Sequence, residues 1–315
     1  FNTAGRQTEA MFFGVDGLPV ADKTGCAGWT AVFDDTGNQV AGSYFGVDGQ
    51  PAFGAEGYAK WTAKFDAGGQ QVERAFFGVD GEPVLHKNGY ARWVSKFDQR
   101  GYQTERAYFG TSGEPVLDKS GCAKWTRRID ECGNETERAF FGLNGEPVAA
   151  KEGYAKWAIK FDGRGNQIER EFYGVDGQPV ANRKGFAKWT SKFDNHGNEI
   201  EAALFGVDGK PVKIAAGYAK WTAKFDELGN EIEGACFGVE GEPVVGADGY
   251  AIRTTKYDQR GNPIERAYFG TDGNSIKNKE GYEKVVSKFN ERGEETELAF
   301  FGPDGRPVLT DVGFS

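Results

Sequence analysis

Written in lines of 32 residues, the chain repeats itself. FDAGGQQVERAFFGVDGEPVLHKNGYARWVSK begins at Phe65, and FDGRGNQIEREFYGVDGQPVANRKGFAKWTSK begins at Phe161. Ten such lines fit from Phe1 to Ser315 without an insertion or deletion: 1–32, 33–64, 65–96, 97–128, 129–160, 161–192, 193–224, 225–256, 257–288 and a shorter 289–315. A fixed period of this size marks a repeat architecture. Loops that hang in solvent drift in length, whereas a unit packed on both neighbours cannot gain a residue without dislocating the stack. The strict period therefore predicts one array over 1–315: an all-β fold of tandem 32-residue β-hairpin repeats stacked as a solenoid or superhelical meander.

Within a unit the period drops to two. In GYAKWTAKFD, Ala59, Trp61, Ala63 and Phe65 fall on one side and Tyr58, Lys60, Thr62, Lys64 and Asp66 on the other, the pattern of a strand with one more apolar face. The D-x-x-G-N stretch that follows, as at Asp194–Asn198, suits a three-residue hairpin loop. Its glycine would take the left-handed position: Gly37, Gly69, Gly101, Gly133, Gly165 and Gly197. A second tight turn is expected at G-V-D-G-x-P-V, with Gly209 at positive φ and Pro211 at a strand start or edge. Forty of the 47 glycines lie in four columns filled in every line, so the glycine excess has a positional cause.

Counting back from a three-residue loop sets Asp66 opposite Gln70, Lys64 opposite Val72, Trp61 opposite Ala75 and Ala59 opposite Phe77. The same count puts Trp93 opposite Ala107, Trp125 opposite Ala139, Trp189 opposite Ala203 and Trp221 opposite Ala235. Large facing small is what a packed sheet face requires. The expected core is thus two aromatic columns: Trp29, Trp61, Trp93, Trp125, Trp157, Trp189 and Trp221, with Phe45, Phe77, Phe109, Phe141, Phe205 and Phe237. A lone hairpin is marginal in water, so several units must stack before the array is stable. Towards the end the columns drift: Arg253 and Val285 stand in the Trp column, Ser275 in the Pro column and Asn290 in the Asp column.

Chemistry-bearing residues are sparse. His86 and His196 lie in different columns, which gives no base beside a nucleophile, so the chain reads as non-enzymatic. Recurrent Asp66, Glu73 and Asp80 supply one or two carboxylates per turn, short of the six to eight oxygens a calcium ion takes. They read instead as turn formers and, for Glu73, as a partner of a neighbouring Lys or Arg. Cys26 and Cys122 stand where most lines have Tyr, Cys236 where most have Phe or Tyr, and none of Cys26, Cys122, Cys132 and Cys236 belongs to a column that is Cys in every line, which suits small fillers rather than a disulfide or zinc framework. No metal or other cofactor is implied.

The net charge of −9 comes from 47 acidic and 38 basic residues mixed along the length, which argues against a nucleic-acid partner. There is no apolar run near 18 residues, hence no helical membrane span. A second aromatic column, Tyr58, Tyr90, Tyr154 and Tyr218 with Phe76, is placed by the alternation on the Lys face, where it could stack on a glycan.

Two motifs resemble known repeats. Tyr257-Asp258-Gln259-Arg260-Gly261-Asn262 resembles the YD repeat of bacterial RHS-type proteins, which build long β-hairpin spirals, in some cases closed into shells. Lys60-Trp61 and Lys124-Trp125, each followed by D-x-x-G, are similar to the bacterial WG or KWG repeat, although Thr62 stands where that repeat has Gly. The resemblance implies a bacterial, hairpin-built, non-catalytic array and carries over no binding residue.

The expected role is a structural or protein-interaction scaffold, extracellular or on a bacterial cell surface, with protein (itself or another) as partner. The alternative is a glycan-binding module; an enzyme is a third reading. The chain opens at Phe1, without a charged segment leading into an apolar one, and stops before its last Trp strand. These ends suggest an excised piece of a longer array or filament, with an open edge at each end.

Overall fold

The computed structural model describes residues 1–308, and the last residues of the tenth line, 309–315, lie outside them. Among the described residues the chain is all-β, with nineteen strands and no helix. Successive strands pair antiparallel, as from Glu9–Met11 to Glu135–Phe141 and from Gln167–Tyr173 to Glu295–Phe301. The chain divides into two compact units, Phe1–Lys156 with Gly174–Gly177, and Trp157–Tyr173 with the residues from Gln178 on.

In the first unit the hairpin Lys60–Phe65/Gln71–Phe77 shows the pattern. Its loop is the expected one: Asp66 and Gln70 close it, with the Asp66 amide donating to the Gln70 carbonyl at 3.0 Å and the Gly69 amide to the Asp66 carbonyl at 3.0 Å. Asp66 Oδ1 accepts from the amides of Gly68 and Gln70, both at 2.9 Å, which explains the aspartate column. Gly69 has φ +78°, a conformation that costs other L-residues a Cβ clash.

The register beyond the loop corrects the sequence-based count. Phe65 pairs with Gln71, but Lys64 pairs with Glu73, so Val72 has no partner and forms a β-bulge. From there every pair moves by one residue. Trp61 faces Phe76, Thr62 faces Ala75 and Lys60 faces Phe77. Trp93 likewise faces Tyr108, Trp125 faces Phe140, Trp189 faces Leu204 and Trp221 faces Cys236, not the alanines. The bulge recurs in all eight hairpins whose register is described, so it belongs to the repeat.

A one-residue shift exchanges the two faces of a strand. Phe76 therefore joins Trp61 on the core face, in one buried cluster with Tyr58, Ala63, Tyr90, Trp93, Tyr108 and Cys122. Phe77 moves to the Lys face, opposite Lys60.

Two further turns complete the repeat, and they share the first one's hydrogen-bond pattern. Gly78 and Glu82 close the second, with the Gly81 amide donating to the Gly78 carbonyl at 3.2 Å. Pro83 bridges to Phe77, the edge position expected of its column. A Cβ on Gly78 would meet Asp80 Oδ1 at 2.9 Å and Val84 Cγ1 at 3.0 Å, so this glycine column serves close approach, not positive φ. His86 and Tyr90 close the third turn, which the sequence reading had not assigned.

Hairpins join through shorter ladders of three pairs: Glu73 with Val94, Arg74 with Trp93, and Ala75 with Arg92. The second unit repeats the scheme at Glu201 with Thr222, Ala202 with Trp221, and Ala203 with Lys220.

Candidate functional site

Three sets of contacts recur with the hairpin, and each includes a link from one hairpin to the next. The first is on the Lys face. Glu73 reaches Lys64 across its own hairpin at 2.8 Å and Arg92 of the following hairpin at 3.1 Å. Glu137 sits likewise between Arg128 and Lys156, and in the second unit Glu169 sits between Lys160 and Lys188. Burial works to raise the Glu73 carboxyl, but the two cations prevail and hold it below the usual carboxylate range. The half-buried Phe column lies beside these charges: Arg92 stacks over Phe109 at 4.4 Å, and Lys124 over Phe141 and Lys220 over Phe237 at 4.8 Å.

The second set is on the core face, where Trp and Arg alternate from strand to strand. Arg74 lies over Trp61 at 3.9 Å and pairs across the inter-hairpin ladder with Trp93. Arg106 lies over Trp93 at 4.2 Å and pairs with Trp125. Arg138 lies over Trp125, and Arg170 over Trp157, each at 4.7 Å. Trp61, Trp93 and Trp157 are buried, and Trp29, Trp125, Trp189 and Trp221 are half-buried. The arginine column was legible as a recurrent Arg two residues before Phe or Tyr, but only the bulge shows that it shares a face with the indoles.

The third set is the row of third turns. The Lys87 amide donates to the Glu56 carbonyl at 3.0 Å, Lys119 to Asn88 at 3.1 Å and Lys151 to Ser120 at 2.8 Å. In the second unit, Ala247 donates to Ala216 and Lys279 to Asp248. Each bond spans one repeat, so successive turns stack through the backbone, with side-chain pairs added at Lys87–Glu56 and Lys279–Asp248. The first turns are also tied together: Arg100 Nη1 reaches the Asp130 carbonyl at 2.6 Å, and Arg164 Nη1 the Asn195 carbonyl at 2.7 Å.

The tyrosines expected to meet a glycan lie in the core row instead. Tyr58 and Tyr90 are buried, and Tyr154 and Tyr218 are half-buried. Tyr58 packs on Phe76 with ring centres 4.7 Å apart, and burial pushes its hydroxyl up to about 12. Their place on the Lys face is thus corrected: Tyr58 precedes the regular strand, where alternation does not govern its direction.

His86 opens a third turn, its Nδ1 accepting from the Asn88 amide at 3.1 Å and its Nε2 facing Glu56 Oε2 at 3.1 Å. His196 sits in a first turn, its amide bound to Asp194 Oδ1. The four cysteines are free thiols; burial pushes Cys122 up to about 11. Among the described residues no group of three His, Cys, Asp or Glu is placed to hold a metal ion.

No protein-family model matches this chain, and no curated protein does. Solved structures resemble it distantly. One is the crystal structure of TcdB2-TccC3-TEV, 12% identical, covering 96% of this chain and 15% of that one with a TM-score of 0.48. A structure of the Photorhabdus luminescens Tc holotoxin pore is 11% identical, covering 89% of this chain and 16% of that one, TM-score 0.32. This chain therefore spans less than a fifth of either. At TM-scores below 0.5 these likenesses add nothing to the functional argument.

Proposed function

We propose that the chain is a non-catalytic scaffold of interchangeable hairpin units that presents a repeating surface to protein partners. The observation that carries this reading is the bond between successive third turns, Lys87 to Glu56 and its repeats. The Glu73–Arg92 ion pair and the Arg74–Trp93 ladder pair join one unit to the next alongside it. Binding or catalytic groups are more often gathered on irregular loops over a rigid frame. Here the turns repeat one geometry, and what recurs along the chain is the joint itself. The resemblance of the Tyr257–Asn262 turn to YD repeats supports a bacterial protein working at or outside the cell surface.

Exchanging 97–128 in register for 161–192 within the full chain tests the reading. Interchangeable units keep both fold and biological activity. Loss of activity with an unchanged circular dichroism spectrum and melting temperature would show that the exchanged segment holds a specific site, contrary to the scaffold reading.

A further inference from the structure

In the first unit the Arg column that alternates with Trp is interrupted at Ala10, in the first repeat, and at Gly42, in the second. Gly42 stands where Arg74, Arg106 and Arg138 stand one, two and three repeats later. Its ladder partner is Trp61, as Trp93 is the partner of Arg74 and Trp125 of Arg106. Without the side chain, a cleft of about 380 Å³ opens among Trp29, Tyr44, Trp61, Gln39 and Ser43. Trp61 leans onto the glycine to form one wall, since a Cβ there would meet its Nε1 at 2.5 Å.

The filled slot two repeats on shows what such a cleft accommodates. The Arg106 guanidinium lies 4.2 Å over Trp93, and its Nε donates to Ser95 Oγ at 3.1 Å. With the Gln103 amide turned so that its oxygen faces these donors, it accepts from Arg106 Nε and Nη2, both at 3.1 Å. The Gly42 slot keeps Trp29 for Trp93, Trp61 for Trp125, Tyr44 for Tyr108 and the acceptor Gln39 for Gln103, but Ala31 replaces Ser95, so Gln39 is the remaining acceptor of that pair. The slot lacks the cation. Arg74 beside Trp61 is no obstacle, because Arg138 lies over Trp125 beside the filled slot in the same way.

The second unit supplies an independent instance. At Gly234 the same column is again a glycine, and the ladder partner, normally Trp, has become Arg253. Its Nη2 comes within 3.8 Å of where a Gly234 Cβ would sit and pairs with Glu231. A guanidinium thus enters that slot from the neighbouring strand. At Ala202 a methyl group occupies the position, which is only 2% exposed.

We propose that the Gly42 slot binds an alkylguanidinium in trans, as presented by an arginine side chain of a partner protein. Stacking on an indole supplies the attraction and Gln39 the acceptor. The chain's net charge of −9 favours the approach of a cationic partner. This inference is independent of the scaffold reading, since the exchange test above leaves the slot untouched.

The test uses the full chain with 15N-labelled tryptophan, whose seven indole N–H signals are followed during titration with Nα-acetyl-arginine methylamide. Saturable shifts at Trp29 and Trp61, without comparable shifts at Trp189 and Trp221, are expected. The citrulline analogue, planar but neutral, should bind at least about tenfold more weakly. Gly42→Arg, which places the chain's own guanidinium in the slot, should abolish the shifts; should that variant misfold by circular dichroism, Trp29→Leu serves instead. Absence of saturation, equal shifts at all seven indoles, equal binding of citrulline, or binding that survives both substitutions would overturn the proposal. Binding of agmatine without binding of the blocked arginine would overturn the protein source of the guanidinium.

Discussion

Trp61 lies across its hairpin from Phe76, with Val72 bulged out of the ladder between this pair and the hairpin loop. This pair sets which aromatic residues are core and which are surface. Both rings are almost fully buried, Trp61 at 7% and Phe76 at 3% exposure. Trp61→Ala should cost about 3–5 kcal/mol, the range for emptying a large aromatic site. Phe77→Ala, on the half-buried Lys face, should cost clearly less. Urea unfolding of the two variants checks the order, and a larger loss at Phe77 would place the faces the other way round.

Turn glycines make a sharper pair. Gly69 has φ +78°, whereas a Cβ on Gly68 meets only Asp66 Oδ1 at 3.4 Å, an ordinary contact. Gly69→Ala should cost about 1–2 kcal/mol, and Gly68→Ala close to nothing. Thermal unfolding distinguishes them.

Acid should loosen the first turns together. The hydrogen bond from Thr36, with those from Asn38, holds the Asp34 carboxyl at about 2, below its ordinary 3.8. Asp130, Asp162, Asp194, Asp226 and Asp258 are lowered too, each chiefly by the Asn four residues on. A carboxylate with a depressed folded value stabilises fully above its unfolded value, and that stability is lost as pH falls through the folded one. The contribution of these carboxylates to the urea midpoint should therefore be constant above about pH 4 and drop between about pH 4 and pH 2. Asn in these positions keeps the turn, as Asn290 does by accepting from Arg292 and Glu294 amides, but cannot titrate. Replacing the column with Asn should flatten the profile.

How much was legible follows from where the signals sit. The period, the three-residue loop and the glycine positions were readable because each depends on a residue type that no other can replace cheaply. The bulge was not. Val72 and its counterparts Thr104, Ile168 and Ile200 are β-branched residues that look like ordinary strand. Ala75 and Phe76 sit side by side, so large-against-small matching was satisfied by the wrong register. The third turn was missed because its first residue varies among Asp118, Ala150, Asn182 and Ile214, leaving only the glycine as a marker. The core arginines became visible only once the faces were exchanged.

His86 gives one third turn a pH response that its neighbours lack. Burial lowers its value, against the raising influence of Glu56; Lys87 and Arg74 also lower it. A base whose folded value is depressed stabilises fully above its ordinary 6.5, and that stability is lost as pH falls below it. Protonation would also turn the Nδ1 acceptor of the Asn88 amide into a donor. Amide hydrogen exchange at Asn88 and Gly89, whose amides bond to His86, should therefore accelerate on going from pH 7 to pH 5 beyond the intrinsic trend. His86→Asn, matching Asn182 and Asn278, should remove the effect.

The account rests on hairpins locked to one another through a bulged register, and nuclear Overhauser contacts in the folded chain test that most directly. Cross-peaks from the Trp61 indole to the Phe76 ring, and from the Trp93 indole to the Arg74 side chain, are expected. Cross-peaks from Trp61 to the Ala75 methyl in their place, with no contact between Trp93 and Arg74, would contradict both the register and the joint between units.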